Sequence, residues 1–389
     1  MPSLTRRSLI VQAPLALAAI ALRCGSNDSV TQEPGLDQSP LWTAGQDGYH
    51  SYRIPALLTT PSGTMLAFCE GRRNNRRDHG DIDLIMKRST DGGETWSQHS
   101  IVYEQGGSAE ITIGNPCPVV DQDTGIILMP FCRDNKQVFI TKSTDDGVTW
   151  STPVNISEDV MHGHWVWVAT GPGVSIQMQR GPHKGRLVVP CDHGVMSGDQ
   201  RIHHSHVFFS DDHGETWQLG GLLPEHTDEA QVVELTDGRL LINMRSYWGK
   251  VGKDKERLGK RALAWSDDGG TTWSDLAFDG TLIEPVCQGS FLRYTPAADG
   301  GQGRLLFSNP ANTDNRVNMT VRVSYDEAES WPVAKSLHSG PSAYSSLAVL
   351  DDKTVACLYE RGDDSAYETL TLARFTLDWL TDGEDRLGS

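Results

Sequence analysis

The pattern Ser-x-Asp-x-Gly-x-Thr-Trp recurs four times in this chain without a flaw. Ser89, Asp91, Gly93, Thr95 and Trp96 form the first copy. The next three start at Ser143, Ser210 and Ser266 and end at Trp150, Trp217 and Trp273. A fifth, from Ser324 to Trp331, keeps Asp326 but has Ala328 for the glycine and Ser330 for the threonine. Each copy has the chemistry of a hairpin turn. Asp and Ser side chains bond back to turn amides, glycine supplies a positive φ, and tryptophan is expected to pack under the turn. The two replacements put the geometry of the fifth turn in question. Apolar alternation, as in Ile82, Leu84 and Met86, marks flanking strands. The copies return about every 59 residues, room for four short strands with their loops. That is the size of one β-propeller blade, and residues 40–380 hold roughly six. The expected fold class is therefore all-β: one closed, six-bladed β-propeller with four-stranded antiparallel blades. The aspartates repeat in blade after blade, whereas an active site occurs once. They are read as turn formers.

Charge and the chain's start narrow the function. Acidic residues outnumber basic ones 51 to 34, for a formal charge of −17. That argues against nucleic acid and anionic membrane as partners, since both attract basic faces. A few buried arginines can still bind a small anion. The seven cysteines show no CxxC spacing, which argues against a zinc site or a redox dithiol. Cys69, Cys132, Cys191 and Cys357 sit in apolar runs and read as small buried hydrophobes. Arg6-Arg7-Ser8-Leu9 precedes a short apolar run, too short for a membrane span. Residues 1–25 read as an export signal of twin-arginine type, which implies a periplasmic or extracellular location. Arg23 before Cys24 argues against lipid attachment there. Residues 26–39 read as a linker, and residues 40–380 as the propeller domain.

The repeats match the Asp boxes of the sialidase (neuraminidase) superfamily, and the rest of the chain resembles bacterial exo-α-sialidases. Ser51-Tyr52-Arg53-Ile54-Pro55 is similar to that family's Tyr-Arg-Ile-Pro segment. Glu70-Gly71-Arg72 with Asp78-His79-Gly80-Asp81-Ile82-Asp83 resembles its acid/base segment. Glu229 to Glu234, then Asn243-Met244-Arg245-Ser246, resembles its glutamate and second-arginine region. Arg316 stands where the family has a third arginine, Pro341 to Ser346 resembles the nucleophile segment, and Leu358-Tyr359-Glu360 the closing glutamate. The resemblance implies hydrolysis of terminal sialic acids from glycoconjugates, with sialylated glycans as partners and no metal or organic cofactor. It implies Asp78 as acid/base, Glu229 as base and Tyr344 as nucleophile. Arg53, Arg245 and Arg316 would bind the substrate carboxylate, Glu360 would hold Arg53, and Arg72 would line the pocket near the ring substituents. Arg322 competes with Arg316, but falls in a strand-like run. A trans-sialidase, an intramolecular trans-sialidase, a hydrolase of a deaminated nonulosonic acid and a non-catalytic sialoglycan-binding propeller are the alternatives.

The residue chemistry points the same way. A sialic acid carries a carboxylate on its anomeric carbon, and arginine is the planar, bidentate donor for it. A carboxylate nucleophile would meet that charge. At 4 Å and an effective dielectric of 20 the repulsion is about 4 kcal/mol, roughly a thousandfold in rate. A neutral tyrosine with a neighbouring base avoids it.

Weaker signals are Asp192 and His193, expected at the pocket rim, Gln288, expected to touch substrate, and Trp167, on a strand face that meets sugar or packs in the core. His203, His204 and His206 cannot all face one way along a strand, and no acidic partner is spaced with them, so no metal is expected there. The basic stretch 250–260 reads as a surface loop.

Overall fold

The computed structural model describes residues 33–250, 254–297 and 301–387. The expected export signal, Cys24 and the first part of the expected linker lie outside them. The described chain forms a ring of antiparallel blades, each with its first strand innermost. Blade 1 comprises Ser51–Thr59, Met65–Arg72, Ile82–Ser89 and Ser100–Tyr103. Blade 4 comprises Thr227–Glu234, Leu240–Ser246, Lys260–Ser266 and Ala277–Ile283. In blades 2 and 3 the inner strand is broken in two. Ile113–Gly114 and Val119–Val120 serve blade 2, and Trp167–Thr170 and Ile176–Gln177 serve blade 3. Prolines 116, 118 and 172 fall in these breaks, where a ladder donor is dispensable.

Blades 5 and 6 share one long strand, Val333–Val349. Its first half pairs with Val317–Ser324, and its second half pairs with Val355–Arg361. Blade 6 is completed by Thr369–Phe375 and by the chain's first described strand, Leu36–Thr43. The N-terminal strand thus closes the ring, and its first residues, Leu36–Ser39, fall within the expected linker. It also explains why six blades carry five repeats. Each box occupies the turn between a blade's third and fourth strands, and in blade 6 those strands are joined by no turn.

Six apolar clusters fill the six seams between neighbouring blades. Middle strands are accordingly buried on both faces, as in Met65–Arg72, rather than on alternate residues. The box tryptophans belong to these seams. Trp150 of blade 2 meets Phe68 of blade 1 edge-on at 5.8 Å, and Trp96, Trp217, Trp273 and Trp331 join the clusters shared with the preceding blade. The tryptophan therefore locks blade to blade instead of packing only under its own turn. The seam between blades 5 and 6 has no box tryptophan. Trp379, on the short C-terminal helix Leu377–Leu380, fills it.

The turns have the expected bonds. In the first box Ser89 Oγ accepts from Gly93 N at 2.9 Å, and Asp91 accepts from Thr95 N and Oγ1 at 2.9 and 2.6 Å. The fifth repeats this geometry with Ala328 N and Ser330. Its substitutions did not distort it, but Ala328 sits at φ +73°, where the other boxes use glycine. A Cβ in the left-handed region costs about 1 kcal/mol. Ala328→Gly should therefore raise stability by about 1 kcal/mol, read as a higher urea midpoint at unchanged m.

The six described cysteines are buried and free. Among the described residues no helix is long and apolar enough to cross a membrane.

Candidate active site

The boxes lie on one face of the ring, and the candidate site on the other. There, the starts of the inner strands, the ends of the second strands and the loops after them surround a polar cleft of about 400 Å³. Asp78, Glu229, Tyr344, Arg53, Arg245, Arg316, Arg72, Asp192 and Trp167 all line it. A second cavity of about 450 Å³, walled by Leu57, Val174, Ile176, Phe291 and Leu347, opens at the inner strands' other ends.

Tyr344 begins the inner strand of blade 6. Its hydroxyl donates a short hydrogen bond to Glu229 Oε1. Arg245 binds both partners, donating to Glu229 Oε2 at 2.6 Å and to the Tyr344 oxygen at 3.1 Å. Arg53 and Arg316 lie 5.3 and 5.5 Å from the Tyr344 ring centroid. Three arginines from blades 1, 4 and 5 therefore converge on one phenol. Burial and the Glu229 charge push that phenol well above its usual range, against the pull of Arg245 and Arg316. It rests as a neutral hydroxyl.

Arg53 is aimed inward by a break in register between Arg53 and Ala56. Ile54 takes φ +60° there, a strained conformation for a β-branched residue. Glu360 holds this kink. Fully buried, it accepts from Arg53 Nε at 2.5 Å, Ile54 N at 3.1 Å and Tyr344 N at 3.0 Å. It sits behind the cleft and ties blade 1 to blade 6. Arg316 differs from the other two arginines. It donates to Tyr367 Oη at 3.0 Å and Val286 O at 3.3 Å, and among the described residues it makes no ion pair. Arg322 is buried away from the cleft, bonded to Asn309 at 3.3 Å.

Asp78 lies in the loop after the second strand of blade 1. Arg72 donates to it at 2.8 Å, and Arg53 stands 3.7 Å away. Lost hydration raises its carboxyl, but Arg72, Arg53 and Arg316 outweigh this and hold it below the usual carboxylate range. Arg72 is wholly buried and also binds Glu70 at 2.6 Å. Glu70 in turn accepts from Asn115 N at 3.0 Å, in the break of blade 2's inner strand. The Arg72 guanidinium is thus spent on Glu70 and Asp78, and its reach is to Asp78 more than to a ligand's ring.

Two expected site residues lie elsewhere. His193 is buried behind the blade, stacked on Trp165 at 3.7 Å with its Nδ1 3.1 Å from that of His206. Burial and the neighbouring histidines push it down to about 2, so it is neutral. Its strand partner in sequence, Asp192, points the other way, as alternation requires. Gln288 bonds Ser345 from both ends of its amide, at 3.0 Å each, and Pro172 O at 3.1 Å. It fastens the strand beside Tyr344 and does not line the cleft.

Asp192 does line it, bonded by Trp167 Nε1 at 3.0 Å. Burial and the adjacent Asp228 charge push the Asp192 carboxyl well up, while Arg245 and His203 outweigh the burial of Asp228 and hold its carboxyl below the usual range. Asp228 lies 3.4 Å from both His203 Nδ1 and Arg245 Nε. The ring thus brings His203 the acidic partners that its local sequence lacks, and the donor atoms of Asp192, His203 and Asp228 lie within 4.8 Å of one another. Tyr247, Tyr367, Asp228 and Asn115 are further cleft residues that sequence reasoning missed. Tyr247 and Asp228 adjoin Arg245 and Glu229 in sequence, and that adjacency was the available signal.

The model of the BNR repeat-like domain matches residues 63–357. A sialidase of Micromonospora viridifaciens is 34% identical over 370 residues, 90% of this chain and 55% of that protein. A Bacteroides fragilis sialidase is 32% identical, and the chain covers 61% of it, so it spans little more than half the length of these two relatives. An exo-alpha-sialidase of Arthroderma benhamiae is 31% identical over 388 residues, 89% of this chain and 88% of that protein. Among solved structures, the Hadza microbial sialidase Hz136 superposes with TM-score 0.77 at 33% identity, over 88% of this chain and 69% of that one. With the arginines, the Tyr344–Glu229 pair and the boxed propeller in place, these likenesses agree: the chain belongs to the sialidase family.

Proposed function

We propose that this protein is an exo-α-sialidase that works with retention through a sialyl-tyrosine at Tyr344. The Tyr344–Glu229–Arg245 arrangement carries this reading, beside an Arg316 that makes no ion pair among the described residues. A substrate carboxylate supplies the missing anion, flanked by Arg53 and Arg245. Tyr344 Oη attacks the anomeric carbon as its proton passes to Glu229. The bond to the leaving oxygen breaks as Asp78 delivers a proton to that oxygen. Water then attacks the same carbon as its bond to Tyr344 Oη breaks, Asp78 takes the water proton, and Glu229 returns the first proton to Tyr344. Export, and natural substrates on sialylated glycoproteins, glycolipids or oligosaccharides, are part of this proposal. Hydrolysis of a sialoside followed by proton NMR tests it. The α-anomer should appear first; first release of the β-anomer, or of an anhydro or transfer product, would favour the alternatives.

The electrostatics of Asp78 set the pH dependence. Only protonated Asp78 serves as the acid, and the arginines favour its ionised form. In the free enzyme the protonated fraction therefore falls as pH rises. Accordingly, kcat/KM should rise from pH 7 to pH 5, by up to about one decade per unit for poor leaving groups. Asp78→Ala should remove that slope and harm poor leaving groups more than good ones. Equal losses on both would count against Asp78 as the acid.

A further inference from the structure

Two acidic residues that are neighbours in one strand, Asp228 and Glu229, both line the cleft. A regular strand would turn one of them to the other face. The pairing of Thr227–Glu234 with Leu240–Ser246 shows how this is avoided. Thr227 pairs with Ser246 and Ala230 with Met244, so the register slips by one residue between them. Asp228 and Glu229 together therefore stand opposite a single residue, Arg245. This is a β-bulge, a device that re-aims side chains beside functional sites. Blade 3 pins it. Buried Ser205 donates from its hydroxyl to Asp228 O at 2.5 Å and from its amide to Thr227 Oγ1 at 2.8 Å.

The bulge sets two carboxylates against one guanidinium, and they meet different nitrogens. Glu229 accepts from Nη1 at 2.6 Å, the same nitrogen that reaches the Tyr344 oxygen. Tyr247 Oη accepts from Nη2 at 2.5 Å. Nε is buried and makes no hydrogen bond among the described residues, and the Asp228 carboxylate faces it at 3.4 Å. The other Asp228 oxygen lies 3.4 Å from His203 Nδ1, whose ring stacks on Tyr247 at 5.2 Å. Asp228 makes no hydrogen bond to Tyr344 among the described residues. Its reach to the nucleophile runs through Arg245.

We propose that Asp228 is a positioning residue, fixing the Nε side of Arg245 so that Nη1 stays aligned on the Tyr344–Glu229 pair. The inference rests on the sialidase reading of the cleft. Without Asp228 the guanidinium can pivot about its bond to Glu229, and a displacement of about 1 Å costs up to about a hundredfold in rate. Kinetics on an aryl sialoside test this in a double-mutant cycle with Arg245→Gln, which removes the guanidinium. Beside Arg245, Asp228→Ala and Asp228→Asn should each lower kcat/KM by about fivefold or more. In the Arg245→Gln background the same changes should cost less than about twofold, because the group that Asp228 positions is gone. Urea midpoints identify the folded variants, and the asparagine form, which keeps the volume, decides the question if the alanine form does not fold. Losses below about twofold beside Arg245 would overturn the proposal. So would equal losses in the two backgrounds, the mark of a residue that only supports the fold. Failure of wild type to cleave the aryl sialoside would instead overturn the sialidase reading, and this inference with it.

Discussion

Tyr344→Phe should lower kcat/KM by about a thousandfold or more while the protein keeps its fold. The substitution removes one oxygen and leaves the ring in contact with Arg53 and Arg316. Glu229 keeps its Arg245 partner at 2.6 Å, so no buried charge is orphaned. The cost to stability should therefore stay near 1 kcal/mol, the value of an ordinary hydrogen bond. What is lost is the neutral nucleophile bonded to the base. Direct attack by Glu229 would bring one carboxylate against another, at about 4 kcal/mol. Retention of more than about a tenth of wild-type activity would exclude Tyr344 as the nucleophile.

Glu360→Ala should destabilise the protein by about 3–5 kcal/mol, because it leaves the Arg53 guanidinium buried without its partner. Four donors lose their acceptor together: two on the Arg53 guanidinium and two backbone amides, of Ile54 at its strained φ and of Tyr344 itself. The damage should therefore reach catalysis as well as stability. Glu360→Gln keeps an acceptor and a similar volume. It should lose less stability, yet still raise KM through a misplaced Arg53. Urea unfolding of both variants, with kinetics on the glutamine form, separates the two effects. A loss below about 1 kcal/mol in the alanine variant would show that Glu360 does not hold this seam.

The ring was legible in the sequence because its period is set by local turn chemistry. Ser89, Asp91 and Gly93 find their bonds within their own box, so eight residues announce each of five blades. Closure was expected, but the way it is made was not legible. That Leu36–Thr43 pairs with Thr369–Phe375, and that Trp379 fills the last seam, depends on contacts between the chain's ends. The site divides similarly. The arginines and Tyr344 stand out because their types fit one demanding ligand, an anomeric carboxylate. His193 and Gln288 looked equivalent to Asp192 in sequence, but strand alternation and a cross-blade bond to Ser345 turned them away from the cleft. The partners of Asp228 (Arg245 and His203) come from other strands, and no local pattern records them.

The account's central claim is a covalent bond to one oxygen. A sialic acid bearing fluorine at the anomeric carbon and its neighbour should form the adduct and slow its hydrolysis. Incubated with the wild-type protein and digested, it should leave the added mass on the peptide containing Tyr344 and nowhere else. Tyr344→Phe should carry no adduct. Mass on Glu229 or on another residue, or turnover of natural substrate with inversion, would contradict the mechanism.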